Sequence, residues 1–289
     1  QTELARMLAD TAHITVVGDE DQCIYVFQGA RVENFEHFET DQFKDFKVTK
    51  KFLNTNYRST KEIVEKSSSL MATVKGRKEK NLIAYPKNGL GDSPQLWQCT
   101  TKIDEFSFIK EQITKLIKST SLPSNNLKNI GILFRKNAGF QDYSPGDTFV
   151  KFLRKNSFVV NKNKDETYTA KLNGFDNCPI EIRTIHKAKG LEYTAVFIVH
   201  VENDNIPTKY WDEDFPVPKK LQKQIQPLGD EEAHENEERR ILYVAMTRAE
   251  KQLFLTYHID SDKKDSLTPS KFLNNMKLDY KTYENEEEE

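Results

Sequence analysis

The stretch IEIRTIHKAKGLEYTAVFIVHV, residues 180–201, decides the fold. It opens on an alternating strand, Ile180–Ile185, and closes on a strand, Ala195–Val201, that is apolar without a break from Ala195 to Val199, with a polar turn between them. A run that is apolar at every position belongs to a strand covered on both faces, as in a parallel sheet flanked by helices. Working outward, a helix over Glu237–Thr247 presents Ile241, Leu242, Val244 and Ala245 on one side, and the strand Gln252–Tyr257 follows it. Strands that alternate with helices in this way define a parallel α/β sheet.

The upstream sequence repeats the alternation. Residues 13–17 (HITVV) read as a buried strand running into Gly18-Asp19, followed by a polar, aromatic helical stretch. Residues 47–53 and the turn NTNYRS make a strand and turn, after which Ser59 or Thr60 is placed to cap a helix carrying Ile63, Val64 and Leu70. The strand Leu96–Cys99 leads to a helix with Phe106, Ile109, Ile113, Leu116 and Ile117 at helical spacing. A strand over 129–135 and a helix marked by Phe149, Phe152 and Leu153 come next. The polar segments 161–178 and 203–230 read as loops, and the second is long enough to be functional or mobile.

The 289 residues suffice for two domains, and 37% apolar against 30% charged residues excludes a disordered chain. Net charge is −2, and discounting the five acids of an expected unstructured tail, Glu284 and Glu286–Glu289, turns it into +3. Such a body does not coat nucleic acid by bulk charge, which leaves a local groove as the way to hold it. Three scattered cysteines, Cys23, Cys99 and Cys178, form neither a disulfide framework nor a CxxC zinc site and fit a reducing compartment. The longest apolar run, Tyr193–Val199, is far short of the ~18 residues that cross a bilayer. No signal peptide opens the chain, and Gln1–Asp10 reads as a helix already under way, so a piece of a longer protein is expected.

No GxxxxGK[ST] phosphate loop occurs, nor does an apolar strand ending in Asp-Glu; Glu231-Glu232 sits in a charged, solvated stretch. Four other blocks stand out: GDEDQCIYVFQGA (18–30), NYRST (56–60), TIHKAKGLEY (184–193) and EERRILYVAMTRA (237–249). Each places polar residues at a strand end or along one helix, and in open α/β sheets ligands gather at the carboxyl ends of strands.

In this order the blocks resemble motifs III, IV, V and VI of the UvrD/Rep/PcrA branch of superfamily 1 DNA helicases. The resemblance covers nearly the whole chain, down to Pro269–Leu273, and Gln1 is similar to a position just past the family's Walker B motif. It implies a RecA-like α/β fold: the end of a first domain (1A) with motif III over 1–50, the second domain (2A) over 51–280, and the tail over 281–289. It also implies an ATP-dependent 3′–5′ helicase or translocase acting on single-stranded DNA and single-strand/duplex junctions in replication and repair. ATP and Mg²⁺ are expected mainly on a first RecA-like domain outside these residues, so the segment alone is expected to be inactive. No membrane partner is expected.

Residue by residue, Gln22 matches the glutamine that senses the γ-phosphate, and its amide can both donate to phosphate and accept from water. Tyr25 and Phe27 match the aromatics that stack on bases, each stack contributing about 1–3 kcal/mol without sequence preference; on spacing alone they are ordinary core aromatics. Tyr57 matches the adenine stack, and Arg58 and Arg248 match two γ-phosphate arginines, for which a planar, permanently charged fork is suited. On its own, NYR is a helix-entry loop with a solvated arginine. Glu192 matches a ribose ligand, His186 a histidine at the DNA-contacting loop, and Lys189 and Gly190 belong to the same turn. Arg135 and Asn137 match a phosphate-contacting pair, and Thr208 stands where the family often has a DNA-contacting histidine. Gln28 stands where the family usually has arginine, which removes a cationic contact. Arg239 and Arg240 are expected in surface ion pairs. No metal site is expected.

The interval between the helix at Phe149 and Ile180 cannot fold a domain of its own, so the family's helical 2B subdomain is expected to be absent. Within the family this pattern, with the Lys/Asn-rich composition, is similar to a small yeast mitochondrial member, which favours an intracellular, mitochondrial location over a nuclear one. Two rival readings differ in class. One is a translocase that strips proteins from single strands without unwinding; the other is a non-enzymatic DNA-binding or regulatory module.

Overall fold

The computed structural model describes residues 2–9, 13–26, 30, 32, 43–74, 77, 79–119, 127–144, 146–210, 230–260, 267–274 and 276–284. In chain order the helices are α1 (Thr2–Ala9), α2 (Lys61–Met71), α3 (Lys102–Lys118), α4 (Phe149–Lys155), α5 (Ile185–Ala188) and α6 (Asp230–Met246). The strands are β1 (Thr55–Asn56), β2 (Ile83–Ala84), β3 (Gln95–Cys99), β4 (Ile130–Phe134), β5 (Phe158–Lys162), β6 (Tyr168–Leu172), β7 (Phe175–Thr184), β8 (Tyr193–Val199), β9 (Ala249–His258) and β10 (Asp279–Tyr283).

β1 and β2 pair in parallel, and the other eight strands form one sheet in the order β10-β3-β9-β8-β4-β7-β6-β5. From β10 to β7 every pairing is parallel; β6 runs antiparallel to both β7 and β5. The apolar run Ala195–Val199 lies in central strand β8, which is buried at every position. Period-two geometry divides its side chains between two cores. Val196 and Ile198 pack on one face with α2, α5 and α6, while Ala195, Phe197 and Val199 pack on the other with α3 and α4. The fold is thus the expected parallel α/β sheet with helices on both faces.

Local chemistry fixes the elements. Thr101 and Asp104 form a reciprocal capping box at the start of α3, each side chain satisfying the other's backbone N–H. Gly131 on β4 lies under the Tyr193 ring, where an added Cβ would come within 2.5 Å of a ring carbon. No helix among the described residues is long and apolar enough to cross a membrane.

Several expectations are corrected. Residues 13–17 form no strand and are exposed, Val17 at 79%; a β-branched run stays unpaired where no described strand lies beside it. Residues 47–54 belong to no strand, and only Thr55–Asn56 pairs. Segment 161–178 is not one loop: it holds the end of β5, all of β6 and the start of β7, joined by turns at 163–167 and 173–174. In β6 Thr169 and Lys171 alternate with the inward Tyr168, Ala170 and Leu172, so overall polarity hid a period of two. Ile185 opens α5 instead of ending a strand, because Thr184 Oγ1 accepts from Lys187 N at 3.4 Å and caps a helix there. Thr60 holds the N-cap position of α2, but its hydroxyl makes no cap bond, and Ser59 Oγ instead donates to Ala249 O at 2.7 Å. α6 begins at Asp230, ahead of Glu237; of 203–230, residues 211–229 lie outside the described residues, as does 285–289 of the expected tail.

Candidate nucleotide and DNA faces

One group of predicted residues gathers at the amino ends of β8 and β9. The turn before α2 is drawn tight by Asn56, whose Oδ1 accepts from Arg58 N (3.0 Å) and Ser59 N (2.9 Å). Asn88 Nδ2 braces it from outside, donating to Tyr57 O (3.0 Å) and Ser59 O (3.1 Å). This fixes Arg58, whose Nε donates to Glu192 Oε2 (2.9 Å) and whose Nη1 donates to Thr247 O (3.1 Å). Arg248 reaches the same residue from the sheet side: Nη2 donates to Thr247 Oγ1 (3.1 Å), Nη1 to Leu191 O (3.2 Å) and Nε to Val244 O (2.9 Å). The two guanidiniums therefore converge on Thr247 although their residues lie far apart in the sequence.

Arg248 is 2% exposed, and its side-chain hydrogen bonds go to two carbonyls and a hydroxyl, with no carboxylate among them. Burial, then repulsion from Arg58, pushes its pKa down to about 10, so it remains a cation at neutral pH. A cation held by neutral dipoles beside a second cation is electrostatically suited to an anion. Tyr57 is 69% exposed, with its ring 4.9 Å from that of Tyr85. Gly190 takes φ +89, a left-handed value that favours glycine, in the turn just before Glu192.

A second group lies along the segment that carries the chain from the carboxyl end of β7 to the amino end of β8. Tyr25 Oη donates to His186 O (3.0 Å), and Lys189 Nζ donates to Gln22 O (2.8 Å) while lying 5.1 Å from the Tyr25 ring centre. Burial, then the Arg135 charge, lowers the His186 pKa, so its imidazole is neutral at pH 7. Gln22 donates through Nε2 to Asp19 Oδ2 (2.7 Å). Its loop is clamped by the fully buried Asp21, which takes hydrogen bonds from Arg77 Nε (2.9 and 3.0 Å) and Nη2 (2.8 Å), while Lys80 pairs with Asp19, Glu20 and Asp21. Burial raises the Asp21 pKa, but the Arg77 hydrogen bonds and Lys80 charge outweigh it and hold the group below the usual carboxylate range. Phe27 and Gln28 lie outside the described residues.

Arg135 and Thr208, both expected at DNA, converge on Glu238 of α6. Arg135 Nη2 and Nε donate to its carboxylate (2.6 Å at the shortest), and Thr208 N (3.1 Å) and Oγ1 (3.0 Å) donate to the same oxygens. Asn137 opens a short 3₁₀ turn beyond β4, its backbone carbonyl accepting from Phe140 N and Gln141 N at 3.1 Å. Arg239 lies over the Phe272 ring and pairs at 3.7 Å with Glu235. Sequence reading missed Glu238, Arg77 and Lys80, since an isolated charge on a helix or after one carries no local sign of a distant partner.

The sheet is that of a parallel α/β domain, with arginines and a carboxylate meeting at the amino ends of β8 and β9 and Tyr25 held beside the segment that joins β7 to β8. The chain belongs to the UvrD-like helicase family: the profile of the UvrD-like helicase C-terminal domain matches residues 52–144 and 139–260, and that of the UvrD/REP helicase N-terminal domain matches residues 1–43. It is 28% identical over 277 residues to a probable DNA helicase of Mycoplasma pneumoniae, covering 94% of this chain and 44% of that protein. It is 34% identical over 152 residues to the ATP-dependent DNA helicase PcrA of Staphylococcus epidermidis, covering 52% of this chain and 19% of that protein. With DNA helicase II of Haemophilus influenzae it shares 32% identity over 128 residues, 44% of this chain and 16% of that protein. The chain thus spans less than half the length of these relatives. All three are bacterial, and they lend no support to a mitochondrial source.

Proposed function

We propose that this chain supplies the second half of an ATP-driven, 3′–5′ motor on single-stranded DNA. In that reading Arg58 and Arg248 reach the γ-phosphate of ATP·Mg²⁺ held mainly by a first RecA-like domain outside these 289 residues. Tyr57 takes the adenine, Glu192 the ribose, and Gly190 permits the close turn between them. Gln22 senses the γ-phosphate, while Tyr25 and Phe27, with His186 nearby, contact DNA bases. Arg135, Asn137 and Thr208 line the DNA side. Residues 1–50 belong to the first domain and 51–280 to the second, with no 2B insertion.

The observation that carries this reading is the meeting of Arg58 and Arg248 at Thr247. Two cations meet there with one carboxylate, Glu192, between them, which leaves positive charge for a further anion, and a triphosphate suits two planar forks. The Arg58–Glu192 pair is the open-state resting contact: ATP has to bind better to the state in which Arg58 leaves it for phosphate. Residues 185–192 then connect events at the nucleotide end of the sheet to those at Tyr25 and His186.

The test is strand separation of a 3′-tailed duplex measured beside DNA-stimulated ATP hydrolysis, using the whole protein. Both activities support a helicase. Hydrolysis with protein displacement but no unwinding would assign a translocase, and DNA binding with no hydrolysis would overturn the motor reading in favour of a binding module.

A further inference from the structure

At the carboxyl ends of β8 and β9, away from the arginines, the carboxylate of Glu105 on α3 is fully buried between two imidazoles. Its Oε1 is anchored by His200 N (2.9 Å) and Thr256 Oγ1 (2.6 Å). That leaves Oε2 facing His200 Nδ1 at 2.7 Å and His258 Nδ1 at 2.8 Å. Both histidines are more than nine-tenths buried, and their rings meet at 70° with centroids 5.1 Å apart. They line a cavity of about 400 Å³ whose wall also holds Glu202, Asp260, Lys102 and Lys136. Glu202 is itself 7% exposed, and its Oε2 has no hydrogen-bond partner among the described residues. Asp260 Oδ2 lies 4.0 Å from His258 Nε2.

We propose that Glu105, His200 and His258 bind a first-row divalent transition metal through Glu105 Oε2 and the two Nδ1 atoms, with Glu202 and water on the cavity side completing the coordination. Two imidazoles and one carboxylate on one face with open positions opposite are the ligand pattern of such ions, whereas Mg²⁺ and Ca²⁺ prefer oxygen alone. Ligands about 2.1 Å from a metal and at right angles stand about 3.0 Å apart. The separations of 2.7 and 2.8 Å therefore need to open by only a few tenths of an ångström. The Oε1 anchors are the outer-shell hydrogen bonds that hold a ligating carboxylate in place. On binding, an imidazole that carries its proton on Nδ1 moves it to Nε2, freeing the Nδ1 lone pair for the metal. A protonated Glu202 that becomes a ligand gives its proton to solvent.

The experiment titrates the metal-stripped chain with Zn²⁺ by calorimetry and follows histidine ¹⁵N resonances. The proposal expects a single Zn²⁺ per chain, undisturbed by excess Mg²⁺, with the His200 and His258 signals changing from the Nδ1–H to the Nε2–H tautomer. His258→Gln should weaken uptake by about 100-fold or more and Glu202→Gln by about tenfold. Should His258→Gln fail to fold, the tautomer change in the unmodified chain and the Glu202→Gln affinity decide. No uptake of Zn²⁺, or uptake that leaves both imidazoles as Nδ1–H, overturns the proposal and leaves a proton-bridged structural cluster.

Discussion

Replacing Arg135 by alanine separates a structural from a DNA-binding role for that residue. In the native chain the Glu238 side chain is 1% exposed and receives two kinds of donor, the Arg135 fork and the Thr208 N–H and hydroxyl. Removing one member of a buried ion pair costs about 3–5 kcal/mol, because the other charge is left without compensation. Thr208 keeps its hydrogen bonds in the variant, which points to the lower end, about 3 kcal/mol. With a urea m-value of about 3 kcal/mol/M, that moves the unfolding midpoint down by about 1 M.

The loss should depend on pH with a definite sign. In the native chain burial raises the Glu238 pKa, but Arg135's hydrogen bonds and charge prevail and hold it below the ordinary carboxylate value of 4.5. A carboxylate depressed in this way contributes stability above its unfolded pKa and loses it as pH falls through the folded value. Without Arg135, burial acts with less opposition, the folded pKa rises, and the variant loses stability as pH climbs. The gap between the two proteins should widen from pH 4 toward neutrality in urea titrations followed by circular dichroism. Equal midpoints at pH 7, with DNA affinity alone reduced, would refute this reasoning and make Arg135 a phosphate contact first.

Two further outcomes follow from packing and capping. Gly131→Ala places a methyl carbon 2.5–2.8 Å from the Tyr193 ring, whose hydroxyl is fixed on Glu181 at 2.8 Å, so it should cost about 1–3 kcal/mol in urea unfolding; an unchanged midpoint would mean the ring moves freely. Thr101→Ala removes one half of the capping box of α3 and should cost about 1 kcal/mol, with Thr101→Ser restoring most of it.

The central sheet was legible because β8 is apolar at every position but Thr194 and the stretches between strands carry helical spacing. The hairpin at β5–β6 was not, since half its residues face water and their polarity masked the inward Tyr168, Ala170 and Leu172. HITVV misled for the opposite reason: β-propensity describes a residue's fit to a pleated surface, and residues 13–17 have no such surface among the described elements. Within the candidate site, Arg58, Glu192 and Arg248 were nameable from their blocks, but not their meeting point, because Thr247 is ordinary in sequence and matters only through its carbonyl and hydroxyl. The Glu105 cluster was invisible for a related reason: its members come from α3 and from the ends of two strands, and only the fold brings them together.

The central claim, that Arg58 and Arg248 act on one triphosphate, is tested most directly by single-turnover ATP hydrolysis in the whole protein. Arg58→Ala and Arg248→Ala should each lower the hydrolysis rate by roughly 10³–10⁵, while Arg154→Ala, whose partner Asp142 lies on the surface at 2.9 Å, leaves it unchanged. Hydrolysis at near-normal rate in either of the first two variants would contradict the account.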